Sequence, residues 1–173
     1  MPVLSLAKIL SPSLPIPGAE PWYAAPQDPA LSVMTDFRER SSVTVADTDR
    51  IGAALEHMKH TGVRCAFAID TRHRVVVGMI TAYDITGERP MRHVRDVGGK
   101  HDEILVRDIM QPLAEVKVVD IGAIERATVA SVARLLEESR LSHIPVMETS
   151  ANGERRLRGL LSAAKIKRLL SKP

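Results

Sequence analysis

The sequence offers a single cysteine, Cys65, which excludes an internal disulfide and leaves too few thiolates for a cysteine-built zinc site. A reducing, cytoplasmic setting is therefore expected. It contains no run of about eighteen uncharged apolar residues, so no membrane helix is expected. The first residues lack a basic segment ahead of their apolar run, and Pro12, Pro15 and Pro17 cut that run short, which argues against a signal peptide. Also missing are a glycine-rich phosphate loop of the Walker type and any serine, cysteine or histidine set in a recognisable nucleophile motif. The expectation is a protein that is not an enzyme, with no catalytic residues. His57 and His60 stand near Cys65 without zinc-like spacing, so neither a metal site nor a cofactor is expected. Charge of one sign is not in large excess: 24 basic residues face 21 acidic ones, for a net +3. On charge, nucleic acid is not the expected partner.

What is present begins with proline. Seven of the eleven prolines fall in the first thirty residues, which predicts an irregular N-terminal arm over residues 1–30, separable from the body, with Trp22 and Tyr23 either packing it down or trailing with it. After the arm the chain repeats itself. Ile51, Ala54, Leu55 and Met58 form a helical stripe closed by Gly62, and Val129, Val132, Ala133 and Leu136 form the same stripe 78 residues later, counting Ile51 to Val129. Each helix runs into a β-type segment, Val63 to Ile69 in one copy and Leu141 to Met147 in the other. A polar connection follows, and then a strand that enters a helix: Val75 to Ile85, matched by Leu157 to Ile166. Each copy opens with a short lead, Val33-Met34-Thr35 and Asp108-Ile109-Met110. The expected division is repeat one at 31–90, a linker at 91–104 and repeat two at 105–173. Units of this size cannot bury both faces alone, so the two should pack together.

The ordered set of Val-Met-Thr lead, helix, Gly62-Val63-Arg64-Cys65-Ala66 and Gly78-Met79-Ile80-Thr81-Ala82-Tyr83-Asp84 resembles the cystathionine-β-synthase (CBS) domain. The second copy carries Ser142-His143-Ile144-Pro145-Val146 and Gly159-Leu160-Leu161-Ser162. The resemblance covers about residues 31 to 170 and implies an α+β fold: a CBS-domain pair of two β-α-β-β-α repeats packed with pseudo-two-fold symmetry. It further implies a central layer of strands, two clefts between the repeats, and a homodimer. Its known ligands are AMP, ADP, ATP or S-adenosylmethionine, so an adenine nucleotide or S-adenosylmethionine is the expected small-molecule partner, with an unspecified effector protein receiving the signal.

An adenosine needs an apolar slot, an acceptor for ribose hydroxyls, and positive charge or backbone N–H groups for phosphate. On sequence physics alone Thr81 and Asp84, three residues apart, read as a helix cap returning a bond to itself. The resemblance assigns Thr81 to the phosphate region and Asp84 to ribose, and Arg64 to phosphate. His143 stands where relatives place a basic residue, beside Ser142. Ala66, Ile80 and Pro145, with Phe67, Ile144 and Val146, are candidates for the base slot, and Ser162 is the second copy's counterpart of Thr81. There Lys165 replaces the aspartate, and lysine has no acceptor for a hydroxyl, so one competent site per chain is expected. The competing reading is a dimerisation module or polyanion binder using Arg155, Arg156, Arg158, Lys165, Lys167 and Arg168.

Overall fold

The computed structural model describes residues 22–171; most of the arm, residues 1–21, lies outside them. A 3-10 turn at Ala30–Val33 leads into strand β1 (Thr35–Asp36), then β2 (Thr44–Ala46), helix α1 (Ile51–His60), β3 (Cys65–Asp70), β4 (Val75–Thr81) and α2 (Ala82–Thr86). Helix α3 (Arg89–Val97) and α4 (Val106–Ile109) carry the chain to β5 (Gln111–Pro112), β6 (Val119–Asp120), α5 (Ile121–Glu125), α6 (Val129–Ser139), β7 (His143–Thr149), β8 (Arg155–Ser162) and α7 (Ala163–Leu170). The stretch expected as a linker thus holds α3, and Ile104 is buried in the first repeat's core.

Two four-stranded sheets result, β2-β3-β4-β5 and β1-β8-β7-β6. In each, a parallel pair (β2 with β3, β6 with β7) adjoins an antiparallel hairpin (β3 with β4, β7 with β8). The register slips at Ala68/Ile69 in one hairpin and at the matching Val146/Met147 in the other. The fourth strand of each sheet comes from the other repeat: β5 pairs with β4, and β1 with β8. Two glycines permit this exchange. A Cβ at Gly78 would stand 2.6 Å from the Gln111 carbonyl oxygen, and one at Gly159 would stand 2.6 Å from that of Thr35. Only a residue without a side chain lets the exchanged backbone approach so closely.

Alternation along the strands makes three apolar layers. Ala66, Ala68 and Ile80 face α1 and α2 together with Ile104, Val106 and Ile109 from around α4, while Ile144, Val146 and Leu161 face α6 and α7 together with Val33 and Met34. The opposite faces meet each other through Cys65, Phe67 and Met79, with Leu157 and Leu160 packed on them. Met58 and Leu136 are wholly within the outer layers, so a charge at either would damage folding rather than assembly.

The described end of the arm is part of this body. Ala24 and Ala30 are buried in the second repeat's core, and the Ala24 and Ala30 N–H groups donate to the Leu169 and Ala127 carbonyls. Trp22, by contrast, is 96% exposed. Small residues and backbone bonds, rather than the tryptophan, fix the segment.

Candidate functional site

Strand β4 ends at Thr81, where the chain turns into α2 under a reciprocal cap. The Asp84 N–H donates to Thr81 Oγ1 at 3.2 Å, and Asp84 Oδ2 accepts from the Thr81 N–H at 2.8 Å and from its hydroxyl at 2.7 Å. The capping pattern read from the sequence is therefore present. Asp84 Oδ1 meets Arg89 Nε at 3.2 Å, and Arg89 Nη1 is itself held by the Ile109 carbonyl at 2.8 Å. A carboxylate has about four acceptor positions. Three are in use, so Asp84 has room for one hydroxyl at Oδ1, and room for two requires Arg89 to move.

Thr81 and Asp84 border a cleft of about 410 Å³ between the repeats, closed from the second repeat by Arg140, Ser142, His143 and the start of α7. Met79 lines this cleft and also a neighbouring cavity of about 310 Å³. That cavity lies between the two sheets and is apolar, walled by Phe67, Val76, Leu113, Pro145, Met147 and Leu157. Of the residues expected at the base slot, Phe67 and Pro145 are here. Ala66 and Ile80 are not: they are cross-strand partners buried in the first repeat's outer core, as Ile144 and Leu161 are in the second, where Val146 is buried with them. The correction is the period-two alternation of a strand, which sends Met79 to the cavity and Ile80 away from it.

Burial, opposed by the Asp84 charge and assisted by that of Arg64, pushes His143 down from 6.5 to about 4. The imidazole is neutral near pH 7, with Nδ1 3.0 Å from Ser142 Oγ, so it presents a hydrogen-bonding edge and no positive charge. His143, a candidate binding residue on sequence, thus lines the cleft without a positive charge. Arg64 does not line the cleft; it is exposed, and its Nη1 donates to Tyr83 Oη at 3.2 Å. The arginines that line the cleft are Arg89 and Arg140, which the sequence reading missed, while the Arg64 charge acts on it from its edge, through Tyr83 and His143.

Arg140 had a legible signal. Helix α1 ends in the Gly62 pattern: Gly62 is left-handed at φ +70°, its N–H donates to Lys59, and the Val63 N–H reaches the Met58 carbonyl. Arg140 holds Gly62's place at the end of α6, with φ +53° and the matching bond from the Leu141 N–H to the Leu136 carbonyl. Arg140 thus holds a backbone conformation that favours glycine, at the edge of the cleft. Cys65, beside this layer, is buried, and burial followed by the Asp84 charge pushes its thiol up to about 12. It is inert as a nucleophile.

In the second repeat Ser162 caps α7 through the Lys165 N–H, and Lys165 Nζ lies 3.5 Å from Thr35 Oγ1. The basic run of the competing reading is dispersed. Arg158 is largely buried against Asp36, Arg156 pairs with Glu154, Lys165 turns inward, and Lys167 and Arg168 sit on α7.

The family model for the CBS domain matches residues 31–90 and 106–172. No curated protein matches the chain. Among solved structures the chain is similar to CBSX2 of Arabidopsis thaliana in complex with AMP, at 22% identity, covering 82% of this chain and 94% of that one with a TM-score of 0.52. It is also similar to a CBS-domain containing protein from Agrobacterium tumefaciens, at 20% identity over 83% and 93% of the two chains and a TM-score of 0.57. An uncharacterised conserved protein from Pyrococcus horikoshii matches at 20% identity over 86% and 96%, also with a TM-score of 0.57. At these identities the likeness is one of fold.

Proposed function

Because this chain belongs to the CBS-domain family, as a pair of such domains, we propose that it is a non-catalytic regulatory module that binds an adenine nucleotide across the junction at Met79. One observation carries the reading: a largely apolar cavity and a cleft bearing Thr81, Asp84, Arg89 and Arg140 meet at a single side chain, Met79. The cavity suits a purine ring, which is flat, apolar on its faces and in need of exclusion from water. The ribose then lies at Thr81 and Asp84, and the phosphate lies within reach of Arg140 and Arg89. A guanidinium paired with phosphate makes charge-assisted, frequently bidentate bonds. The solved relative in complex with AMP supports the same ligand class. Arg89 adds a way to report occupancy, since a second ribose hydroxyl at Asp84 Oδ1 competes with the arginine that ties α3 to the second repeat's lead. A homodimer and an effector protein follow from the family's habit and belong to the same proposal.

Titration calorimetry with AMP, ATP and S-adenosylmethionine tests this reading. The expected result is one bound adenosine compound per chain. Arg140→Gly should weaken the phosphorylated ligands by roughly tenfold to a hundredfold, the cost of a lost charged hydrogen bond. It should also relieve the left-handed strain and leave the melting temperature equal or higher. Absence of binding by all three compounds, or unchanged affinity in a folded Arg140→Gly variant, would overturn the proposal.

A further inference from the structure

By the repeat correspondence Thr81 and Asp84 have their counterparts in Ser162 and Lys165, and the exchanged strands bring different side chains to the two places. On the first side the exchanged strand β5 places Pro112 opposite Gly78, so Leu113 comes next. Leu113 is 48% exposed and borders the open apolar cavity. On the second side β1 places Asp36 opposite Gly159, and the residue that follows is Phe37. Its ring stands edge-on to Phe67, with centroids 5.8 Å apart and planes at 84°. It also packs on the layer containing Leu157 and Leu160, the counterparts of Val76 and Met79 that wall the first cavity.

Resting on the nucleotide reading above, we infer that the second cleft is closed by the chain itself: Phe37 fills the place of a base, and Lys165, held near Thr35, replaces the ribose acceptor. A phenyl ring is flat, apolar and close to the size of the six-membered half of a purine, and aromatic rings favour this edge-to-face contact. The exchanged β1 and the ion pair from Arg158 to Asp36 hold the backbone before the ring's root, and the Arg38–Glu148 ion pair holds the chain after it. The module is then a one-ligand device by construction, with its second half kept permanently in a filled geometry.

Two reciprocal grafts test the inference by calorimetry with AMP. The double variant Phe37→Leu/Lys165→Asp should take two AMP per chain where the unmodified chain takes one. Leu113→Phe, at a half-exposed position, should fill the first cavity and weaken AMP by at least about tenfold, with melting behaviour retained. A folded double variant that still takes one AMP, an unmodified chain that takes two, or a Leu113→Phe variant that binds like the unmodified chain would each overturn the inference. If the double variant fails to fold, Leu113→Phe decides alone. Failure of the unmodified chain to bind any AMP is a different result: it removes the nucleotide reading itself, and the inference with it.

Discussion

At the residue scale, the site is defined by side chains whose surroundings set their chemistry, and His143 gives the most direct test. Its ring is 5% exposed and neutral in the fold, because desolvation outweighs the attraction of Asp84. In the unfolded chain it titrates near 6.5, and in the folded protein near 4. Between these values the unfolded state binds the additional proton, so stability falls as the pH is lowered through this window. The full effect is on the order of 3 kcal/mol, present above pH 6.5 and exhausted near pH 4. His73 acts with the opposite sign, since hydrogen bonding to Asp70 raises it, but that pair is on the surface and weak. Urea midpoints measured from pH 7 to pH 4 for the unmodified chain and for His143→Gln should converge as the pH falls. Parallel curves would show that His143 is charged or exposed in the fold. Sequence alone could place His143 beside the phosphate region but could not supply its charge, which depends on burial by a second repeat. The same limit applies to Asp84: the Thr81-Asp84 spacing was legible, whereas Arg89 on Oδ1 depends on how α3 folds back.

At the scale of elements, the helices and hairpins were readable because apolar spacing and glycine placement are local. Gly62 and Thr128 do what their positions suggest, closing α1 and capping α6. The exchange of β1 and β5 was not readable, because a two-residue strand has no period and its partner is set by Gly78 and Gly159 far along the chain. The contacts of the described end of the N-terminal arm were equally hard to read from the sequence. Its residues carry no apolar stripe, yet they supply backbone acceptors that α6 needs: the first two helical N–H groups, of Val129 and Ala130, donate to the Asp28 and Pro26 carbonyls. The Ala24 and Ala30 N–H groups add two bonds in the other sense. Removing residues 1–30 should therefore destabilise the module by about 4 kcal/mol, taking about 1 kcal/mol net for each of the four bonds. Chemical denaturation of the truncated chain measures this directly. A midpoint equal to that of the full chain would show that water replaces those carbonyls without loss.

For the whole molecule, the exchanged strands decide whether the two repeats are one thermodynamic unit. Each sheet takes its fourth strand from the other repeat, and each outer core contains residues from the segment leading into the other: Ile104, Val106 and Ile109 in the first, Val33 and Met34 in the second. The inner faces also meet through Phe67, Met79, Leu157 and Leu160. Unfolding one repeat alone would expose the inner face of the other and leave an unpaired edge at its β4 or β8, so a half-folded state costs much of the stability and gains the entropy of only one repeat. A single transition is expected in calorimetry, with the van't Hoff and calorimetric enthalpies equal. Because the cleft proposed to bind nucleotide takes Thr81 and Asp84 from one repeat and Arg140 and His143 from the other, a ligand seated there adds its binding free energy to this one transition. At a hundred times its dissociation constant the gain is about 2.7 kcal/mol, and the whole peak should move upward without splitting. Two peaks, of which AMP shifts only one, would show instead that the repeats fold separately and that the ligand belongs to one of them.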